Sequence, residues 1–136
     1  VRTIVLDNEA VQALSDSTHT KHRTVVAHLA GAVARRRRGT VVDTVVPTTV
    51  RVEAGWDRST PSAAAINRFR LRDHALDAPA ANLAATIQSR CGLGPAEAHI
   101  GATVQSVSSG DVVVLTTDPR DIAVVCTPST PQIVRI

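Results

Sequence analysis

The sequence predicts a three-layer α/β/α domain, with a central parallel sheet of about five strands formed by residues 1–136 as one unit. Three observations carry that expectation. Short apolar runs at 3–6 and 112–115 stop abruptly at polar residues, as strands buried on both faces do. Ala-rich stretches with apolar residues three and four positions apart read as amphipathic helices. The two kinds of segment alternate along the chain through short loops, the arrangement that places helices over a parallel sheet.

Taken in order, 3–6 is a strand stopped by Asp7, and 8–14 follows as a segment that Asp7 is placed to cap. Between 20 and 38, Val25, Leu29, Ala32 and Val33 share one helical stripe. Residues 41–46 form the next strand, and Pro47 starts a helix carrying Val50, Glu53 and Ala54. Pro61 starts another helix through Phe69, and 70–75 reads as a strand. Ala80, Leu83, Ala84 and Ile87 mark a helix at 78–90, which Gly92 and Gly94 end. Pro95 then starts a helix through Val107, and Ser108, Ser109 and Gly110 make a turn. The strand at 112–115, a helix from Asp118 and a final strand at 133–136 complete the chain. No repeat, linker or low-complexity tail interrupts it.

Apolar residues make up 43% of the 136, yet Trp56 and Phe69 are the only aromatics, so the core is expected to be small and aliphatic. Base stacking on aromatic rings is thereby excluded as a principal way of holding nucleic acid. The net charge of +3 comes from 15 basic residues, of which Lys21 alone is lysine. Arg35, Arg36, Arg37 and Arg38 stand together at a helix end, where they suit the helix dipole and are also open to an RNA backbone; both readings leave them exposed. Cys91 and Cys126 fit neither a disulfide framework nor a zinc site and read as buried free thiols. No run approaches membrane-helix length and the first residues carry no signal-peptide pattern, so a cytoplasmic location and no membrane partner are expected. Methionine is absent: an initiator was removed or is written as Val1.

In open parallel sheets the working crevice lies beyond the carboxyl ends of the strands. The strand reading places Asp7 and Asp118 there. Glu53, on the helix after the second strand, and Glu97, in the first turn of the Pro95 helix, reach the same edge if the sheet order brings them together. Four carboxylates in one crevice repel unless a cation sits among them, and Mg²⁺ or Mn²⁺ is the usual neutraliser in a water-filled cleft. Such an ion lowers the pKa of a bound water and bridges phosphate oxygens, as phosphodiester hydrolysis requires. Each acid also has a structural reading: Asp7 and Asp118 as N-caps, Glu97 as a first-turn acid favoured by the helix dipole, Glu53 as a solvated residue paired with Arg51 or Arg58. Only their joint placement raises the chemical reading above these. Thr116 and Thr117 are placed to bond the turn or a ligand water. Asp16, Asp43, Asp73, Asp77 and Asp111 read as turn or strand-end residues, and the five histidines form no H-x-x-x-H pair, His99 being read as a packing or solvent residue.

Four segments carry a family resemblance. I-V-L-D-N-E-A-V at 4–11 resembles the opening strand and first acid of PIN domains. V-V-P-T-T-V-R-V-E-A at 45–54 resembles the second motif, A-E-A-H-I-G-A-T at 96–103 the third, and V-L-T-T-D-P-R-D-I at 114–122 the fourth. Order, spacing and length agree across essentially the whole chain, and the size resembles the toxin half of VapBC toxin–antitoxin pairs. The resemblance implies an Mg²⁺- or Mn²⁺-dependent endoribonuclease with Asp7, Glu53, Glu97 and Asp118 as catalytic acids. Among these, Asp7, Glu97 and Asp118 would hold the metal, with Thr116 in support. It implies an antitoxin partner that obstructs the cleft, and a homodimer. The third motif usually has Asp where this chain has Glu97. That departure supports a second reading, a catalytically weak or inactive PIN-like module that binds RNA or a partner protein. The pair Asp7 and Glu9 faintly resembles a haloacid-dehalogenase-like phosphatase motif, but such enzymes need a basic residue at the phosphate, and Lys21 lies too near the start of the chain.

Overall fold

The computed structural model describes residues 1–107 and 110–136; the turn expected at Ser108 and Ser109 lies outside the described residues. Five parallel strands, β1 (Arg2–Leu6), β2 (Val42–Pro47), β3 (Arg72–His74), β4 (Asp111–Thr116) and β5 (Gln132–Arg135), form one sheet in the order β3-β2-β1-β4-β5. The apolar runs at 3–6 and 112–115 are neighbours at its centre, with Val5 opposite Val114 and Leu6 opposite Leu115. All four side chains are fully buried, as strands covered on both faces require.

This order has a functional consequence. From β1 the chain moves one way to β2 and β3, then returns to β4 on the other side of β1 and continues outward to β5. Right-handed crossovers therefore put the two sets of connections on opposite faces, and they part at the carboxyl ends of β1 and β4. That is where the chain leaves open a crevice.

The helices among the described residues are α1 (Asn8–Ser15), α2 (His22–Arg37), α3 (Thr48–Ala54), α4 (Ala64–Asn67), α5 (Ala78–Cys91), α6 (Pro95–Ser106) and α7 (Pro119–Cys126). Asp7 caps α1 by accepting from the Ala10 N–H at 2.8 Å, and Asp77 caps α5 by accepting from the Ala80 N–H at 3.0 Å. Helix α6 is buried along most of its length and packs tightly on α7: a Cβ on Gly101 would overlap the Val125 carbonyl. The core is aliphatic as expected, with Trp56 and Phe69 at its margin.

Several local expectations are corrected. Pro47 does not start a helix; its ψ of 135° keeps it extended as the last residue of β2, and Thr48 is the first helical residue. The continuous helix expected from Pro61 to Phe69 is a 3₁₀ turn (Pro61–Ala63) followed by the single turn of α4. Ala63, Ile66 and Phe69 are all buried, a three-residue spacing that a tighter, irregular path satisfies better than a 3.6-residue helix. Arg70 then takes a left-handed φ of 55°, which turns the chain into β3. Asp73 sits in the middle of that strand, not at its end. Cys126 is buried, but Cys91 is only half-buried.

The arginine run is not uniformly exposed. Arg36 folds back over the sheet, where Nε donates to the Val42 carbonyl at 2.7 Å and a terminal nitrogen to Thr44 Oγ1 at 2.6 Å. It braces α2 against β2. Arg35 is half-buried, and of the four only Arg37 and Arg38 are exposed.

Candidate functional site

Asp7, Glu53, Glu97 and Asp118 line one cleft, of about 130 Å³, at the carboxyl ends of β1 and β4. Asp7 enters from the end of β1 and Thr116 from the adjoining end of β4. Glu53 comes from α3, Glu97 from the first turn of α6, and Asp118 from the cap of α7. Glu9 and Asp121 also line it, whereas no basic side chain does. The expected pairing of Glu53 with Arg51 or Arg58 is not formed, because both arginines instead hold Asp73.

Asp7 is 8% exposed and does two things at once. One carboxylate oxygen caps α1; the other accepts from the Thr117 N–H at 3.3 Å. Burial raises its pKa, hydrogen bonds from Thr116, Ala10 and Thr117 oppose that rise, and Glu9 adds to it. Thr116, fully buried, accepts from the Asp118 N–H at 2.9 Å and so sets the turn that presents Asp118. Asp118 in turn accepts from the Asp121 N–H at 3.4 Å. Asp7 and Asp118 thus cap α1 and α7 and line the cleft at the same time.

The remaining acids feel one another. Glu53 is raised by partial burial and then by the negative charges of Glu97 and Asp7. Asp121 is raised by partial burial and by Asp118, with a smaller push from Glu97. The Glu97 carboxylate bends back over Gly94, so that a Cβ there would stand 2.8 Å from Glu97 Oε2. Glu9 lies 2.7 Å from His19 Nε2, and Arg120 partly offsets the rise at Asp121.

As donors these groups are all oxygens, carboxylates with a threonine hydroxyl behind them, the set a hard divalent cation takes. Among the described residues no three acidic, histidine or cysteine side chains stand close enough to form a finished cage. An all-oxygen lining of this kind suits an ion that keeps several waters and takes one or two direct carboxylates, as Mg²⁺ does.

Behind the acids runs a buried polar track that the sequence reading missed. His99 is fully buried, with Nδ1 2.7 Å from Thr49 Oγ1 and Nε2 3.1 Å from His74 Nδ1. Burial, reinforced by His74, pushes its pKa down to about 4, so it is neutral at pH 7. Thr49, His74 and His99 lie 25 or 50 residues apart in pairs, and no local pattern announces their meeting.

The sheet is an open parallel α/β sheet, with the acid-lined cleft at its switch point. Solved structures share this fold. FitAB bound to an IR36 DNA fragment superposes with a TM-score of 0.60 at 17% identity, covering 97% of this chain and 94% of that one. VapBC2 from Rickettsia felis, bound to a DNA fragment from its promoter, gives 0.59 at 9% identity over 98% of each chain. FitAcB from Neisseria gonorrhoeae gives 0.57 at 17% identity, covering 96% of this chain and 95% of that one. At these identities the likeness establishes the fold. No protein-family profile and no curated protein matches the chain. No described helix is long and apolar enough to cross a membrane.

Proposed function

We propose that the protein is a divalent-cation-dependent endoribonuclease, the toxin of a toxin–antitoxin pair. The observation that carries the reading is the convergence of Asp7, Glu53, Glu97 and Asp118 on a cleft lined by no basic residue. Like charges gathered in one place raise each other's pKa and destabilise the fold unless a cation offsets them. A bound Mg²⁺ or Mn²⁺ supplies Lewis acidity toward a phosphoryl oxygen and a more acidic water.

The chain's own residues divide the remaining work. Asp7, held by three hydrogen bonds, Glu97 and Asp118 would hold the ion, one or two of them directly and the rest through its waters. Thr116 fixes the turn that carries Asp118. Glu53, more exposed and raised in pKa by partial burial and then by Glu97 and Asp7, would take a proton from the attacking water. Arg37 and Arg38, with the half-buried Arg35, offer contacts for the RNA backbone. Arg36 does not, because its guanidinium is spent on Val42 and Thr44.

The toxin reading is supported by the four motifs and by a backbone shared with VapBC2, which carries the name of the group whose toxin half the motifs resemble. An antitoxin partner, a homodimer and a cytoplasmic setting belong to the same proposal. The test is cleavage of a mixed RNA pool by purified protein in Mg²⁺, Mn²⁺ or EDTA, with Asp7→Asn as matched control. Metal-dependent cutting that falls at least about 100-fold in Asp7→Asn is expected. A folded sample that cuts with neither metal would favour the binding-module reading suggested by Glu97 in place of Asp.

A further inference from the structure

The buried track behind the crevice has a defined direction. The Thr49 backbone N–H points at His99 Nδ1 at 3.4 Å, and an N–H can only donate, so Nδ1 is an acceptor. Neutral His99 then carries its proton on Nε2 and donates to His74 Nδ1 at 3.1 Å. His74 in turn carries its proton on Nε2, 3.2 Å from Ser106 Oγ, and the Ser106 hydroxyl donates to the Thr103 carbonyl at 2.8 Å. Each link fixes the next, and the track ties α3, β3 and α6 together beneath the acids.

Its position gives it leverage over the crevice. Thr49 precedes Val50 and lies one helical turn before Glu53; His99 precedes Ile100 and follows Glu97 by two residues. Val50, Glu53, Glu97 and Ile100 all line the cleft. Helix α3 has seven residues and no side-chain N-cap, since Pro47 occupies that position. Its first turn is held from outside by Thr48, which accepts from the Leu76 N–H at 3.1 Å, and by the Thr49–His99 bond.

We propose that Thr49 and His99 are positioning residues for the crevice, their hydrogen bond setting the distance of the Glu53 helix from the Glu97 helix and hence the capacity of the acids to hold a divalent cation. The inference rests on the cation reading of the crevice. Hydrogen exchange of the α3 amides in metal-free protein tests the clamp without any ion. Mn²⁺ binding followed by electron paramagnetic resonance tests its consequence.

Thr49→Val removes the hydroxyl at nearly constant shape, and Thr49→Ser restores it. In Thr49→Val, exchange at Val52 and Glu53 is expected to rise about 10-fold and Mn²⁺ affinity to fall about 10-fold, as for other groups that orient metal-binding side chains; Thr49→Ser should match the parent protein. His99→Asn, which keeps an acceptor facing Thr49, should hold Mn²⁺ more tightly than His99→Leu. A Thr49→Val protein with parental exchange and parental Mn²⁺ affinity overturns the proposal. If the parent protein binds no Mn²⁺, the cation reading falls, while the exchange result still decides whether the clamp exists.

Discussion

Helix α3 divides two regions that treat the same charges in opposite ways. On the β2–β3 side, the two strand carboxylates are each paired with arginine: Asp73 is held by Arg51 at 2.8 Å and Arg58 at 3.0 Å, and Asp43 by Arg72 at 2.8 Å. Both Asp73 partners also flank the Trp56 ring, Arg58 at 4.3 Å and Arg51 at 5.2 Å from its centre. On the β1–β4 side, Glu53 and its companions face a cleft with no basic lining. Arg51 and Glu53 are two residues apart on one helix and serve opposite ends. The difference teaches how to sort acids: those neutralised within the chain are structural, and those left facing one another await something from outside.

The largest effect separating the two regions should come with pH. Folding holds His99 neutral with a pKa of about 4 against the ordinary 6.5, so between those values the unfolded chain binds a proton that the folded chain does not. Stability from this residue is therefore complete above pH 6.5 and is lost as pH falls toward 4, on the order of 3 kcal/mol in all. Asp7 runs the other way: its raised pKa keeps a proton in the folded state above 3.8, so its contribution improves as pH falls toward that value. Urea denaturation across pH 4 to 7 should show a net decline on the acid side that is much shallower in His99→Asn, the lowered pKa of His74 supplying part of what remains. A flat profile would break this assignment.

On the neutralised side, Asp73→Asn leaves Arg51 and Arg58 with a weaker common partner. It should cost about 1–2 kcal/mol by urea denaturation and leave Mn²⁺ binding alone, the reverse of the Asp7→Asn result. Arg36→Ala should cost about 1 kcal/mol by the same measurement, whereas Arg37→Ala and Arg38→Ala leave stability within ~0.5 kcal/mol and flatten the salt dependence of RNA binding. An unchanged salt slope in the Arg37, Arg38 double variant would remove these residues from the RNA contact.

The smallest and sharpest change is Gly94→Ala. The new methyl meets only the flexible end of Glu97. Unfolding stability should stay within ~0.5 kcal/mol while the Glu97 carboxylate is pushed aside and RNA cleavage falls several-fold. Equal loss of stability and cleavage would assign the site a purely structural Glu97.

Much of this was legible locally. The run at 3–6 stops at Asp7 and that at 112–115 at Thr116, Thr117 and Asp118, because a strand buried on both faces cannot continue through a charge, so strand ends and candidate site residues fall close together. Asp7, Glu53, Glu97 and Asp118 could be brought to one edge by assuming a parallel sheet, and the order β3-β2-β1-β4-β5 does so. What stayed hidden depended on contacts distant in sequence. Arg36 looks like its three neighbours until the Val42 carbonyl and Thr44 are seen beneath it. The stretch from Pro61 has helical propensity throughout, yet the core contacts of Ala63, Ile66 and Phe69 impose a tighter path. His99 is an unremarkable residue on α6 until Thr49, 50 positions away, meets its ring.

The most direct test of the central claim is a titration of the metal-free protein with Mn²⁺, alongside Asp7→Asn, read by electron paramagnetic resonance. Saturable binding to the parent protein that weakens at least about 10-fold in Asp7→Asn is expected. Equal binding by the two proteins, or none by either when both are folded, would contradict it.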